Sequence, residues 1–201
     1  ENQGFKNVKN AVRVLRNLLK VGANLYDPES VKAVIRKMPI EDCSKKVYCD
    51  HYDAFIKFLG GTWEKPHYET QRKFPFIPME TELDQLIAGL SRMIAPFCQI
   101  LKETGGREGE VARLKWTDID FERRTITINN PEKGSNSRVI KVSEKCINMI
   151  NHLPRKDERL FRQKSVERLF SIQRNRIAEK LNNPRLLKIH LHTFRHWKGT
   201  M

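Results

Sequence analysis

The chain carries the stretch TGGREGE at residues 104–110, which places Arg107 at the start of a predicted helix. Two glycines ahead of a helix let the backbone turn tightly and bring main-chain N–H groups close to a ligand. The helix dipole disfavours a cation at this end, and an anion shared by the arginine and the helix would remove the conflict. A phosphate group fits that position. Taken alone, the stretch is also compatible with an ordinary surface turn.

A second helix start shows the same conflict between charge and dipole. The stretch HTFRH at residues 192–196 places a cationic cluster where a helix begins. His192 and Arg195 are three residues apart and face the same way, while Phe194 can point into the core. The alternative interpretation is a basic helix that contacts DNA without any catalysis.

The charge of the chain indicates a polyanionic partner. The 201 residues have 39% hydrophobic composition, a net charge of +14 and a pI near 9.8. This composition excludes a disordered chain, and no apolar run approaches the roughly 20 residues of a membrane span. Nucleic acid is favoured over acidic lipid as the partner. Residues 1–77 and 155–201 have net charges of +5 and +9, whereas residues 78–154 are neutral.

The pattern of apolar residues predicts a fold that is mainly α with a small antiparallel β-sheet. Residues 1–61 show helical periodicity and form a helical domain, and the proline-rich residues 62–77 form an extended linker. Residues 78–201 form a second, mostly helical domain. Its sheet is predicted from the β-branched runs at 125–128 and 138–142, which flank a polar hairpin loop.

The cysteines and histidines of the N-terminal region do not form a recognisable metal site. Cys43, Cys49 and His51 cluster in sequence, but their spacing suits no common zinc site and a fourth ligand is missing. We therefore expect no metal or other cofactor. Sparse cysteines without a pattern, and the absence of a signal peptide, favour a cytoplasmic protein.

The two motifs together resemble those of the tyrosine recombinases, which include phage-type integrases and Xer-like enzymes. The segment from Thr104 to Asp120 is similar to the first arginine motif of that family, and residues 192–200 are similar to the second. The hairpin 125–142 lies between them, where the family keeps a catalytic lysine. The resemblance implies that residues 1–61 are a DNA-binding core-binding domain and residues 78–201 a DNA breaking-rejoining domain. The sequence FRHWK at 194–198 looks more like that of archaeal integrases than that of bacterial ones.

What the resemblance implies chemically is transesterification at a DNA phosphodiester, through a 3′-phosphotyrosyl intermediate and without metal or ATP. Two guanidinium groups, those of Arg107 and Arg195, would hold the non-bridging oxygens on which negative charge develops. Lys133 on the hairpin would donate a proton to the leaving 5′-oxygen, with Lys141 as the second candidate.

The remaining polar residues of the two motifs have supporting roles in this interpretation. His192 would bond the phosphate or help to move the proton of the nucleophile. Glu110 would orient an arginine or a histidine, and His196 would have a structural hydrogen-bonding role. We expect Trp197 to pack in the core and Lys198 to add a phosphate contact.

The family's nucleophilic tyrosine follows its second motif by some tens of residues, and the sequence ends at Met201, inside a predicted helix. The tyrosines of the chain match no nucleophile motif and all precede residue 78: Tyr26, Tyr48, Tyr52 and Tyr68. We therefore expect a C-terminally incomplete catalytic domain that binds DNA without cleaving it. The alternatives are a non-catalytic DNA-binding relative and, less favoured, a type IB topoisomerase.

The partner implied by the family is double-stranded DNA at an attachment or crossover site. Family recombinases act on it as homotetramers, and without DNA we expect a monomer or weak dimer with no membrane association.

Overall fold

The computed structural model describes residues 8–70, 74–161 and 166–201. The chain divides into two compact units, residues 1–73 and 74–201. The first unit contains three helices, α1 (Val8–Lys20), α2 (Pro28–Lys37) and α3 (Asp42–Phe58). Asp27 caps α2 through its carboxylate, and Pro28 occupies the first turn, where a missing N–H costs nothing.

The core of the first unit forms where the apolar faces of these helices meet. Leu18, Val31, Ile35 and Cys49 are fully buried in it. Tyr52 is also fully buried, and its hydroxyl donates a 3.0 Å hydrogen bond to the carbonyl oxygen of Leu25. Its ring meets the ring of Trp63 edge-on, with 4.7 Å between the centroids. Trp63 belongs to the segment predicted as linker, so the start of that segment packs against the first unit.

The second unit is built around one central helix. Its elements, in chain order, are α4 (Glu80–Gly89), α5 (Ile94–Thr104), α6 (Glu108–Ala112), β1 (Ile119–Asp120), β2 (Thr125–Ile128), β3 (Arg138–Lys141), α7 (Glu144–Asn151), α8 (Val166–Lys180) and α9 (Leu191–Thr200). Helix α5 is buried along almost its whole length and contacts α4, α6, α7, α8 and α9. A helix that is apolar on all sides lies inside its domain, as this one does.

The sheet is antiparallel with strand order β1-β2-β3. Ile126 and Ile128 are buried, while Thr125 and Thr127 alternate with them on the other face. The predicted fold class, mainly helical with a small antiparallel sheet, is confirmed. Two details were not predicted: the sheet has a third strand of only two residues, and the helix that begins after Arg107 is short and ends at Ala112.

The early end of α6 has a long-range cause. Lys115 forms a bridge with Arg159, the N–H of Trp116 donates to the carbonyl oxygen of Glu158, and the N–H of Leu160 donates to that of Leu114. These bonds hold Leu114 and Lys115 in a path that the α-helix could not follow, and a short 3-10 helix (Trp116–Asp118) comes next.

Candidate active site

The turn between α5 and α6 is formed by the two glycines of the first motif. Gly105 ends α5 with φ +60°, a left-handed conformation that glycine adopts without steric cost. The N–H of Gly106 donates to the side-chain oxygen of Thr104 at 3.0 Å. Arg107 then takes an extended conformation as the residue immediately before α6. The turn therefore places Arg107 at a helix N-terminus, as the sequence predicted.

Glu110 is the centre of the hydrogen-bond network around Arg107. Its carboxylate has no exposed surface and accepts from the backbone N–H of Arg107 at 2.9 Å and from the Arg107 Nη1 at 3.1 Å. It also accepts from the backbone N–H of Glu132 at 3.0 Å and from the Arg138 Nη2 at 2.6 Å. One buried carboxylate thus joins α6, the hairpin loop and the start of β3.

The ionisation of Glu110 follows from these contacts. Burial alone would raise the pKa of a carboxyl group, because the charged form loses its hydration. Here the hydrogen bonds from the N–H groups of Glu132 and Arg107, and from the guanidinium groups of Arg138 and Arg107, outweigh burial. They hold the pKa of Glu110 at about 2, so the residue is an anion at neutral pH.

The hairpin loop that carries Lys133 is attached to both ends of α6, through the backbone and the side chain of Glu132. The Arg107 Nη1 donates to the Glu132 carbonyl oxygen at 2.9 Å and to the Ser135 Oγ at 2.8 Å. The Glu132 carboxylate accepts from the Arg113 Nη2 at 2.9 Å and lies directly over Gly109, where a side chain would collide with it. Lys133 follows with φ +55° and an exposed side chain. The loop therefore leads from a fixed point to an exposed lysine head.

Arg195 of α9 joins the second motif to the first. Its Nη1 donates a 2.7 Å hydrogen bond to the carbonyl oxygen of Gly105. Lys198, one turn further along α9, lays the stem of its side chain against Gly105, and its Cγ would lie 3.1 Å from a Cβ built there. Glycine is therefore required at position 105 both by its backbone conformation and by this close approach.

His192 and His196 lie together on the exposed side of the same helix. Their ring centroids are 4.5 Å apart and the rings meet edge-on. Burial, the neighbouring His196 ring and the positive charges of Arg195, Lys133 and Arg107 all lower the pKa of His192. These charges act on His192 only because the two motifs and the hairpin lie close together, and they favour a neutral imidazole at physiological pH.

The N-terminus of α9 is held by a buried arginine of α8. The Arg174 Nη1 donates to the carbonyl oxygen of Ile189 at 2.9 Å and lies 3.3 Å from the His190 Nδ1. Thr193 accepts from the backbone N–H of His190 at 2.9 Å. Trp197 is buried, as predicted, and the Lys102 ammonium lies 5.2 Å from the centroid of its ring. Helix α9 is thus fixed at its start and along its inner face.

The structure accordingly places four candidate residues close enough to His192 to lower its pKa: Arg107, Lys133, Arg195 and His196. The sixth candidate, Glu110, is hydrogen-bonded to Arg107. Lys141, the second lysine candidate, lies at the end of β3 opposite Thr125. Sequence reasoning left three residues out of the site: Glu132 and Arg138, which donate hydrogen bonds to Glu110, and Ser135, which accepts one from Arg107. A signal for Arg138 was present, since it opens the strand after the lysine loop.

Two further features of the described residues concern metal binding and membrane insertion. Within residues 8–70, 74–161 and 166–201, no three His, Cys, Asp or Glu side chains converge so as to hold a metal ion. No helix within the same ranges is both long and apolar enough to cross a membrane.

The family model for the Phage integrase family matches residues 80–201. A Haemophilus influenzae protein with the provisional name integrase/recombinase is 33% identical over 97 residues, which are 46% of this chain and 25% of that protein. The chain therefore spans about a quarter of the length of this curated relative.

Solved structures share the fold at low sequence identity. The Tn1549 transposon integrase in complex with circular intermediate DNA has a TM-score of 0.71 and 17% identity, over 98% of this chain and 81% of that one. The XerH site-specific recombinase bound to its difH substrate has a TM-score of 0.62 and 19% identity, over 87% of this chain and 59% of that one. With its fold and both arginine motifs, the chain belongs to the phage integrase family of tyrosine recombinases.

Proposed function

We propose that this chain binds double-stranded DNA and holds one phosphodiester for strand transesterification in a site-specific recombinase of the integrase type. The observation that carries the proposal is the bond from Arg195 to Gly105, which lies two residues before Arg107. Through this bond, the turn that positions Arg107 also holds the guanidinium group of Arg195. Two arginines that are attached to one turn can together hold one phosphate, and both stay charged at any physiological pH.

In the proposed reaction a tyrosine hydroxyl oxygen attacks the phosphorus atom and the bond from phosphorus to the 5′-oxygen breaks. A 3′-phosphotyrosyl bond forms, and the reverse steps with a new 5′-hydroxyl rejoin the strand. Negative charge grows on the non-bridging oxygens during attack, and Arg107 and Arg195 would stabilise it. Glu110 keeps Arg107 in place by two hydrogen bonds, one to its backbone and one to its guanidinium group.

The proton transfers belong to Lys133 and His192 in this proposal. Lys133 would donate a proton to the leaving 5′-oxygen, because its loop is anchored at Glu132 while its ammonium group is exposed. A neutral His192 can accept a proton from the nucleophile or donate one N–H to the phosphate. His196 would support the His192 ring through their edge-on contact.

None of the four tyrosines within these 201 residues belongs to the unit that carries the site, residues 74–201. We propose that the 201 residues alone bind DNA and do not cleave it, and that the nucleophile is supplied by another segment. Assembly as a tetramer on two duplexes, and a place among the DNA-bound proteins of a prokaryotic cytoplasm, belong to the same proposal.

Binding of the 201-residue chain to random-sequence duplex DNA tests the first part of the proposal. We expect fluorescence anisotropy to show binding that weakens steeply with salt, because the basic side chains release counterions from the phosphates. Selection from a pool of randomised duplexes should then enrich a preferred site. Absence of binding, or binding that is indifferent to salt, would contradict the proposal.

A further inference from the structure

A cleft of about 520 Å³ opens beside Arg195, on the side where the hairpin loop meets the end of α9. Three cationic side chains line it, those of Arg138, Arg195 and Lys198. Of the described residues, no aspartate or glutamate lines the cleft. Its remaining polar wall comes from Ser135, Asn136 and Ser137. A cleft walled by cations, hydroxyls and an amide suits an anion with several oxygen atoms.

The charges at this cleft are only partly neutralised. Within the described ranges, the ion pairs of Arg107 and Arg138 both go to the same carboxylate, that of Glu110. Arg195 has a backbone carbonyl as its hydrogen-bond partner, and no described carboxylate forms an ion pair with Arg195 or Lys198. Among the described residues, two of these four cations therefore share one carboxylate, and the charges of the other two, Arg195 and Lys198, line the cleft without an ion-pair partner.

The hydrogen-bond donors of the cleft are also arranged for an incoming acceptor. Arg138 lines the cleft, and Glu110 engages its Nη2, which leaves other N–H groups of the guanidinium fork to bind an acceptor. The Ser135 Oγ accepts from Arg107, so its own hydrogen can be donated elsewhere. The aliphatic stem of Lys198 packs against Gly105, and this contact supports the side chain that carries the ammonium group.

We propose that this cleft binds a second DNA phosphate, adjacent along the strand to the one held between Arg107 and Arg195. Arg138 and Lys198 are its charged ligands, and Arg195 lies between the two phosphates. This inference rests on the proposed function, since it names a further part of the DNA that the same site holds. It gives Lys198 a role in fixing the position of the strand, separate from the chemistry at the first phosphate.

The variant Lys198→Met tests the inference, because methionine keeps the unbranched stem over Gly105 and removes the charge. The matched control is Lys145→Met, which removes an exposed lysine from α7 of the same unit. With random-sequence duplex DNA, we expect Lys198→Met to make the negative slope of log K against log salt less steep by about 0.9, the value for one lost phosphate contact. The control should keep the slope of the original chain.

Short oligonucleotides separate the second phosphate from general charge effects. NMR titration with dTpT, which has one phosphodiester, and dTpTpT, which has two, should show tighter binding of the longer probe by about tenfold. In Lys198→Met this gain should disappear, while the affinity for dTpT stays unchanged. The perturbed backbone amides should include those of Gly105 and Gly199, which border the cleft.

The outcomes distinguish this inference from the proposed function. If the original chain binds duplex DNA with a steep salt dependence and Lys198→Met behaves like Lys145→Met, the second site is wrong and the proposed function stands. An equal gain from the second phosphodiester in both proteins would overturn it as well. If the original chain does not bind DNA at all, the proposed function fails and the second site fails with it.

Discussion

Arg195 donates a 2.7 Å hydrogen bond to the carbonyl oxygen of Gly105, which lies 90 residues earlier in the chain. Because Gly105 precedes Arg107 by two residues, this bond sets the distance between the two arginine motifs. The bond ends on a backbone atom, so its position depends on the conformation of the turn and on no side chain at 105. Any disturbance of that turn should therefore change both arginines together.

Substitution of Gly105 by alanine should weaken DNA binding. The new Cβ would sit at a positive φ and lie 3.1 Å from the Cγ of Lys198, so the stem of Lys198 must give by a few tenths of an ångström, which disturbs the packing of α9 on the turn. Gly22→Ala is the matched control, because Gly22 also has a positive φ but has open space around it. We expect both variants to lose about 1 kcal/mol of stability from backbone strain. Only Gly105→Ala should lose DNA affinity in an anisotropy titration, and equal affinities would contradict this role of the turn.

Replacement of Glu110 by glutamine should destabilise the second unit strongly. A neutral amide cannot compensate the two guanidinium groups, and its NH₂ group would face their donors. We expect a loss of roughly 3 kcal/mol in the free energy of unfolding in urea at pH 7. The control Glu144→Gln alters an exposed carboxylate and should change stability by less than about 0.5 kcal/mol.

The lowered pKa of Glu110 also predicts how the free energy of unfolding depends on pH. The folded-state pKa of Glu110, about 2, lies below the ordinary value of 4.5, so the ionised residue stabilises the fold fully above pH 4.5. That contribution should be lost as the pH falls from 4.5 towards 2. The difference between the original chain and Glu110→Gln should therefore shrink over this window. A difference that stays constant down to pH 3 would show that the Glu110 charge is not the cause.

His192 should titrate below the ordinary histidine pKa of 6.5 in the free chain. Burial, His196 and the three neighbouring cations all favour the neutral ring, whereas a bound phosphate would offset those positive charges. DNA should therefore raise the pKa of His192, and by linkage the chain should bind DNA more tightly at pH 6 than at pH 8. NMR titration of the ring Cε1–H signal, with and without DNA, measures both states. If DNA binding leaves the pKa of His192 unchanged, the bound phosphate does not lie beside His192.

Gly109 should be needed for the position of the lysine loop. A methyl group at this position would collide with the Glu132 carboxylate, which Arg113 holds over α6. In Gly109→Ala we expect faster hydrogen exchange at the amides of Lys133 and Ser135 as the loop separates from α6. Gly199→Ala is the control within a helix, because nothing lies within 4 Å of its added Cβ. If the amides of Lys133 and Ser135 exchange at the same rate in both variants, Gly109 is not needed to hold the loop against α6.

Local patterns predicted much of the fold and the two arginine motifs. The helical period predicted the helices of residues 1–61, and the glycine pair located the turn before Arg107, because these signals depend on neighbouring residues. The end of α6 at Ala112 could not be predicted in this way. It is set by backbone bonds from residues 114–116 to residues 158–160, far along the chain.

The network that supports the site was equally beyond local reasoning. Glu110 was expected to orient an arginine or a histidine, and the structure shows it bound to Arg107 and Arg138. The role of Arg138 depends on a contact across 28 residues, and that of Glu132 on its carboxylate covering Gly109. Such contacts arise from the packing of the hairpin on α6, which no short sequence window records.

The most direct test of the proposed phosphate clamp of Arg107 and Arg195 is covalent trapping on a nicked suicide substrate that contains the selected site. A polypeptide that contains this chain and supplies the tyrosine should be trapped on the DNA, whereas the 201 residues alone should bind and form no adduct. Arg107→Ala and Arg195→Ala should each abolish trapping while duplex binding persists. Trapping that survives the loss of both arginines would contradict the assignment of the site.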